Sequence, residues 1–247
     1  MNEPRLSAYE PWSVGESAAP QPAPPASEAA AAPPAAGGAV SAPDLAAHLA
    51  ARMCHDFISP ASAIVSGLDL LEDPSAQDMR ADAMNLIETS ARKLAALLEF
   101  GRVAFGASAS AETFETGQLE RLIRGVFDHV RPDLDWAVSL PTLNKPAARA
   151  LLNLAQIGAT ALPTGGVARI TAEEQDGAVR LKVEAQGPRV RLRPEMITGL
   201  NGEPLVEGLG GQWVQAYYLH ALVKAAGGSL EHEVAEDRAV LGARIPL

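Results

Sequence analysis

Arg52-Met53-Cys54-His55-Asp56-Phe57-Ile58-Ser59-Pro60-Ala61-Ser62-Ala63-Ile64-Val65-Ser66-Gly67-Leu68-Asp69-Leu70-Leu71 carries two interleaved patterns at helical spacing. Extended back to Asp44, the apolar residues Leu45, Leu49, Met53, Phe57, Ile64, Leu68 and Leu71 recur at intervals of three, four and seven, which predicts one long helix with a buried face. Pro60 removes one ladder hydrogen bond and bends such a helix without ending it, since the pattern resumes at Ile64. His48, Arg52, His55, Ser59, Ser62, Ser66 and Asp69 alternate spacings of four and three and draw a polar stripe along the same helix. His55 sits in the middle of that stripe. Asp56 beside it can accept from one ring nitrogen, fix the tautomer and leave the other nitrogen as a nucleophile, with the Ser59 hydroxyl one turn further on.

Outward from this helix, Glu72-Asp73-Pro74-Ser75 reads as a tight connection, with Ser75 as N-cap and Asp78 in the first turn of a second helix running to about Phe105. Met79, Ala83, Leu86, Ser90, Leu94, Leu97 and Gly101 give that helix a heptad-like seam. A lone helical hairpin leaves much apolar surface wet, so the expectation is a homodimer that closes a four-helix bundle. After the linker Gly106-Ala107-Ser108-Ala109-Ser110 the pattern changes to short alternating elements. They are a strand near Phe114, a helix over Gln118–Val130, a strand over Trp136–Leu140, and a helix over Pro146–Leu162 capped by Asn144. A hairpin turns on Gln175-Asp176-Gly177 between Val167–Thr171 and Ala178–Ala185. A helix over Gly211–Ala226 ends at Gly227-Gly228, and strands over Ser229–Val234 and Ala239–Ile245 close the chain. Strands set against three helices predict a two-layer α/β sandwich, and an α+β chain as a whole.

Three regions result: an Ala/Pro-rich tail over 1–43, read as disordered, the hairpin over 44–106, and the sandwich over 112–247. No apolar run in the 247 residues approaches the roughly 18 that a membrane span requires. One cysteine, Cys54, excludes a disulfide framework and a multi-cysteine zinc site, and with no signal peptide in view the expected compartment is the cytoplasm. Thirty acidic against twenty basic residues, a formal charge of -10, argues against a general nucleic-acid binder.

His55-Asp56-Phe57-Ile58-Ser59-Pro60 resembles the H-box of sensor histidine kinases, in which His is followed by an acid, then by Thr, Asn or Ser at the fourth position and Pro at the fifth. The kinase nucleotide boxes are matched only in outline. Leu151–Ala159 resembles the Asn-box helix, but the position four after Asn153 is Ile157. Val183-Glu184-Ala185-Gln186-Gly187-Pro188-Arg189 resembles the adenine loop, with Ala185 for its Asp and Arg189 for its second Gly. Gly208-Leu209-Gly210 and Ala225-Ala226-Gly227-Gly228 resemble the last box and its trailing helix. An H-box hairpin before a degenerate ATPase-type (Bergerat, GHKL) sandwich resembles the ChpT family of histidine phosphotransferases in alphaproteobacterial phosphorelays, from about residue 44 to the C-terminus. The resemblance implies a dimeric shuttle that takes phosphate from the receiver domain of a CckA-type hybrid kinase and passes it to receivers such as CtrA and CpdR. His55 matches the phosphorylated histidine. The chain supplies a nucleophile and no evident magnesium site, so no bound cofactor or metal is expected and the receiver is expected to bring its own Mg2+.

Asp56 is expected to orient the imidazole and take its proton, and Ser59 to tune nearby hydrogen bonds. Phe57, Ile58 and Ser62 are candidate docking residues, with Phe57 also continuing the apolar stripe. A second candidate contact is Arg189-Val190-Arg191-Leu192-Arg193, whose three arginines share a face in extended geometry and suit an acidic patch on a receiver. His48, His129, His220 and His232 read as surface or helix-end residues, Cys54 as a small packing residue, and Trp136, Trp213, Tyr217 and Tyr218 as core of the sandwich. Two alternatives stand beside the relay: an ATP-dependent histidine kinase, against which Ile157, Ala185 and Arg189 argue, and a silent receiver-binding scaffold, against which the His55-Asp56 pair argues.

Overall fold

A computed structural model of the chain describes residues 40–106, 112–204 and 211–247. The expected tail up to residue 39, most of the expected linker and the Gly208-Leu209-Gly210 box lie outside the described residues. Helix α1 runs Ala42–Glu72 and starts two residues before the expected Asp44, because the Ser41 side chain accepts from the Asp44 amide and Pro43 fits the first turn. Pro60 lies inside the helix, buried, without ending it. Ser75 does not cap the second helix. Its amide and hydroxyl both donate to Asp73 Oδ1, at 2.8 and 2.7 Å, so it closes the turn instead. These bonds hold the Asp73 carboxyl below its usual range. A 3-10 turn over Gln77–Met79 then leads into α2, Arg80–Ala104.

The two helices meet at small residues. Ala83, Ser90 and Gly101 of the expected seam are buried, whereas Met79 and Leu86 are exposed, and on α1 Leu68 is exposed too. At Gly67 the backbones come so close that an added Cβ would lie 2.6 Å from Ile87 Cγ1 and 3.1 Å from the Ala83 carbonyl. Ile87, not Leu86, therefore faces the partner helix.

The C-terminal part is a two-layer sandwich. Its elements are β1 (Thr113–Glu115), α3 (Thr116–Phe127), β2 (Asp133–Trp136), β3 (Thr142–Asn144), α4 (Lys145–Thr160), β4 (Val167–Gln175), β5 (Ala178–Gln186), α5 (Pro194–Leu200), α6 (Gly211–Ala225), β6 (Ser229–Val234) and β7 (Arg238–Pro246). The main sheet has the order β2-β4-β5-β7-β6, with β2 parallel to β4 and the other neighbours antiparallel; β1 and β3 pair apart from it. The β4–β5 hairpin turns on Asp176 (φ 53) and Gly177 (φ 67), the two positive φ values of a type I′ turn. Asn144 caps α4 by accepting from the Ala147 amide at 2.9 Å.

Some boundaries move. Helix α3 stops at Phe127, three residues early. The second strand is Asp133–Trp136 instead of Trp136–Leu140, because pairing with β4 ends at Ile170 and the Leu140 carbonyl accepts from Thr116 Oγ1 at 2.6 Å. Strand β3 and helix α5 are additions to the expected elements, so the described sandwich carries four helices and not three.

Alternate residues of β4 and β5, Ala168, Ile170 and Ala172 with Leu181, Val183 and Ala185, face a helical layer centred on α4. Its Leu151, Leu152, Leu154, Ala155 and Ile157 are buried, and Gly158 lets it approach β5, where an added Cβ would lie 2.5 Å from Val183. The C-terminal end of α2 is fastened to this layer. The Ala104 carbonyl accepts from Asn153 Nδ2 (3.3 Å), Arg149 Nε (3.4 Å) and Tyr218 OH (3.3 Å), and the Phe105 carbonyl from Arg149 Nη2 (3.1 Å). Those groups satisfy the orphan acceptors of a helix end and place a cation there.

Candidate functional site

Because α1 stays helical through Pro60, residues one turn apart stack along one face, and the site is built by that stacking. Arg52, four residues before Asp56, donates from Nε to Asp56 Oδ2 at 2.9 Å. The other oxygen, Oδ1, lies 3.4 Å from His55 Nδ1. The His55 side chain is 86 % exposed, against 27 % for Asp56. The ring therefore has one nitrogen beside a held carboxylate while its body projects into solvent. An Nδ1–H donating to Asp56 would leave Nε2 with its lone pair outward, the form of imidazole that attacks an electrophile.

Ser59 and Ser62 are exposed further along α1, as is Ile58 at 62 %. Phe57 is the exception among the candidate docking residues. It is half-buried, with its ring 4.0 Å from where a Cβ at Gly101 would stand, so it fills the hairpin instead of presenting a surface. Cys54 is exposed, which corrects its reading as a packing residue.

Arg189, Arg191 and Arg193 lie on the segment between β5 and α5 and are all exposed, while Leu192 between them is buried. The segment is held by main-chain bonds, Val190 N to the Glu236 carbonyl and Arg191 N to the Ala161 carbonyl. Among the described residues no hydrogen bond or ion pair joins these arginines to α1, so the structure places the two candidate surfaces on separate elements. Lys182 on β5 and Arg238 on the neighbouring β7 hold the Glu184 carboxyl of β5 below the usual range.

Three positions matching the kinase nucleotide boxes, Asn153, Ile157 and Ala185, are taken up by packing, while Arg189 is exposed. Asn153 is fully buried; its Nδ2 also donates to the Arg149 carbonyl at 2.9 Å, and its Oδ1 accepts from Gln215 at 3.4 Å. Ile157 and Ala185 lie wholly in the apolar core. Tyr218 is bonded to Arg149 beside the end of α2, where burial pushes its phenol up against the opposing pull of that guanidinium. Among the described residues no group of three or more His, Cys, Asp or Glu is placed to hold a metal ion, and no helix is long and apolar enough to cross a membrane.

Two aromatic residues assigned to the sandwich core serve the hairpin instead. Trp213 and Tyr217, one turn apart on α6 with rings 4.9 Å between centroids, pack against Val40, Leu45 and Leu49. His48 meets the Trp213 ring edge-on at 6.1 Å, and the Tyr217 hydroxyl accepts from the Val40 amide. Arg52 completes this contact by donating from Nη1 to the Gly211 carbonyl at 2.5 Å. The i,i+4 spacings Arg52–Asp56 and Trp213–Tyr217 were visible in the sequence; their meeting across the chain was not.

The profile of the histidine phosphotransferase C-terminal domain matches residues 116–238. The protein phosphotransferase ChpT of Brucella abortus (strain 2308) is 37% identical over 200 residues, 80% of this chain and 94% of that one. A solved structure described as a bacterial phosphotransferase at 1.7 Å superposes with a TM-score of 0.74 at 34% identity, covering 83% of this chain and 97% of that one. With the sequence, the hairpin-and-sandwich architecture and the exposed histidine in agreement, the chain belongs to the ChpT family of histidine phosphotransferases, protein phosphotransferases of His–Asp phosphorelays.

Proposed function

We propose that this chain carries a phosphoryl group on His55, in the cytoplasm, between the receiver aspartate of a CckA-type hybrid histidine kinase and response regulators of the CtrA and CpdR type, without binding ATP itself. The observation that carries this reading is the His55 ring, 86 % exposed at mid-helix and set against a carboxylate that is itself held in place. Nε2 forms the N–P bond as the acyl O–P bond of the receiver breaks, and that electron pair leaves with the receiver's aspartate. Asp56 accepts the Nδ1 proton as positive charge builds on the ring. The second transfer runs the same steps in reverse onto another receiver. Such a loose transition state needs positioning and charge neutralisation, which the receiver's acidic pocket and Mg2+ supply.

Ile58, Ser59 and Ser62 surround the histidine on the exposed face and form the primary docking surface, with Ser59 in reach of the incoming phosphoryl pocket. Arg189, Arg191 and Arg193 form a second contact for an acidic receiver face, held out by the buried Leu192. The engaged Asn153 and the core positions of Ile157 and Ala185 support a chain that does not take up nucleotide. Exposed apolar side chains on the hairpin, Val65 and Leu68 on α1 with Met84 and Leu98 on α2, support a second copy closing a four-helix bundle.

The test is transfer of labelled phosphate from a phosphorylated receiver to wild type and to His55→Ala, with an ATP-only control. Acid-labile, base-stable label on wild type and none on His55→Ala is expected. Labelling from ATP alone would make the chain a kinase, and complex formation without labelling would make it a scaffold.

A further inference from the structure

Arg52 is tied at both ends, and neither tie is explained by surface solvation. Its Nε donates to Asp56 Oδ2 at 2.9 Å and its Nη1 to the main-chain carbonyl of Gly211, the first residue of α6, at 2.5 Å. Its side chain is 21 % exposed, where the other i,i+4 arginine pairs, Arg92–Glu88 and Arg124–Glu120, keep their arginines at 75 % and 51 %. A guanidinium can bridge two acceptors in fixed directions because its five N–H groups lie in one plane.

The consequence falls on His55. With Oδ2 bound to Arg52, the carboxylate cannot spin freely, and Oδ1 is the oxygen that faces His55 Nδ1 at 3.4 Å. We propose that Arg52 is a positioning residue for phosphoryl transfer: it orients Asp56 so that the His55 proton sits on Nδ1 and Nε2 is left as the nucleophile, and its bond to the Gly211 carbonyl makes that orientation depend on α6 lying against α1. This rests on the relay reading above. Arg52 touches neither the phosphoryl group nor the reacting nitrogen and acts through Asp56.

The alternative of a purely structural tie is separable. The α1–α6 contact has its own apolar basis in Trp213, Val214 and Tyr217 against Val40, Leu45 and Leu49, so loss of the guanidinium leaves the packing in place. Arg52→Lys keeps the charge but cannot serve both acceptors with the same geometry, and stands in should Arg52→Ala fold poorly.

Nitrogen-15 spectra of the histidine rings at mildly alkaline pH, with the His55 signals assigned by their loss in His55→Ala, read the tautomer without any relay partner. The expected result is a predominantly Nδ1–H ring in wild type, a shift toward the Nε2–H form in Arg52→Ala, and an intermediate in Arg52→Lys. In transfer assays the rate at saturating receiver falls about tenfold or more in Arg52→Ala, with the half-saturating receiver concentration unchanged. In an Asp56→Asn background the same substitution adds nothing, since both act on one step. An unchanged tautomer, a change confined to receiver affinity, or additive losses in the double variant would each overturn the assignment. If wild type takes no phosphoryl group at all while the tautomer still responds to Arg52, the relay reading fails and the transfer role of Arg52 fails with it, leaving only its control of the His55 tautomer; if transfer occurs and the tautomer ignores Arg52, the assignment alone fails.

Discussion

The Asn153 amide is bonded on every side, donating to the Ala104 and Arg149 carbonyls and accepting from Gln215, whose own Nε2 also reaches Gln156 Oε1 at 2.6 Å. Asn153→Leu would take one of two acceptors from the Gln215 amide, leave its bond to Gln156 in place, and remove one of the donors that cap α2 in a place water does not reach. The expected cost is about 1–3 kcal/mol, read as a lower urea midpoint with an unchanged slope. Nothing around Asn153 in the sequence announces this. Beyond Arg149 one turn away, its partners come from α2 and α6, separated from it by 49 and 62 positions, and only folding brings them together. The His55-Asp56 pair could be read directly because its geometry is set within one helical turn. Arg52 is half of each kind: its tie to Asp56 follows from spacing, and its tie to Gly211, 159 positions away, does not.

At the scale of elements, legibility followed length and local chemistry. Helix α1, the Asn144 cap of α4 and the Asp176-Gly177 turn each carry their signal in neighbouring residues. Strand β3 and helix α5 are three and seven residues long, too short for periodicity to speak, and are held by tertiary partners. The facing registers of the hairpin fall between: the heptad-like pattern named the right helix but chose Leu86 where Ile87 is the residue that meets Gly67. That contact gives a test of helix approach. Gly67→Ala should destabilise the chain by about 1–3 kcal/mol in thermal or urea unfolding, because Ile87 must move. Adding Ile87→Ala should cost less than the two changes summed, since the smaller side chain makes room for the new methyl group.

For the whole molecule, one hairpin face packs internally and is tied to the sandwich at both α1 and the end of α2, while Ile58, Val65, Leu68, Met84 and Leu98 face outward. The intervals 65–68 and 84–98 keep those side chains on helical stripes, the arrangement a partner hairpin needs, while Ile58 lies on the receiver-docking face. Light scattering at micromolar concentration should give twice the chain mass for wild type. The double variant Val65→Glu with Leu68→Glu should give the single mass, with the far-ultraviolet spectrum retained, and a monomeric wild type would sink the bundle. The packing of α4 also bears on which substitutions the chain can take. An amide placed at position 157 would enter a fully buried part of the core, and Asn153 would first have to release α2 and α6 before it could serve any ligand. A polar side chain placed at 157 or 185, as a kinase box would have there, thus passes through a less stable protein before any ligand could compensate: a one-way valve made of ordinary packing.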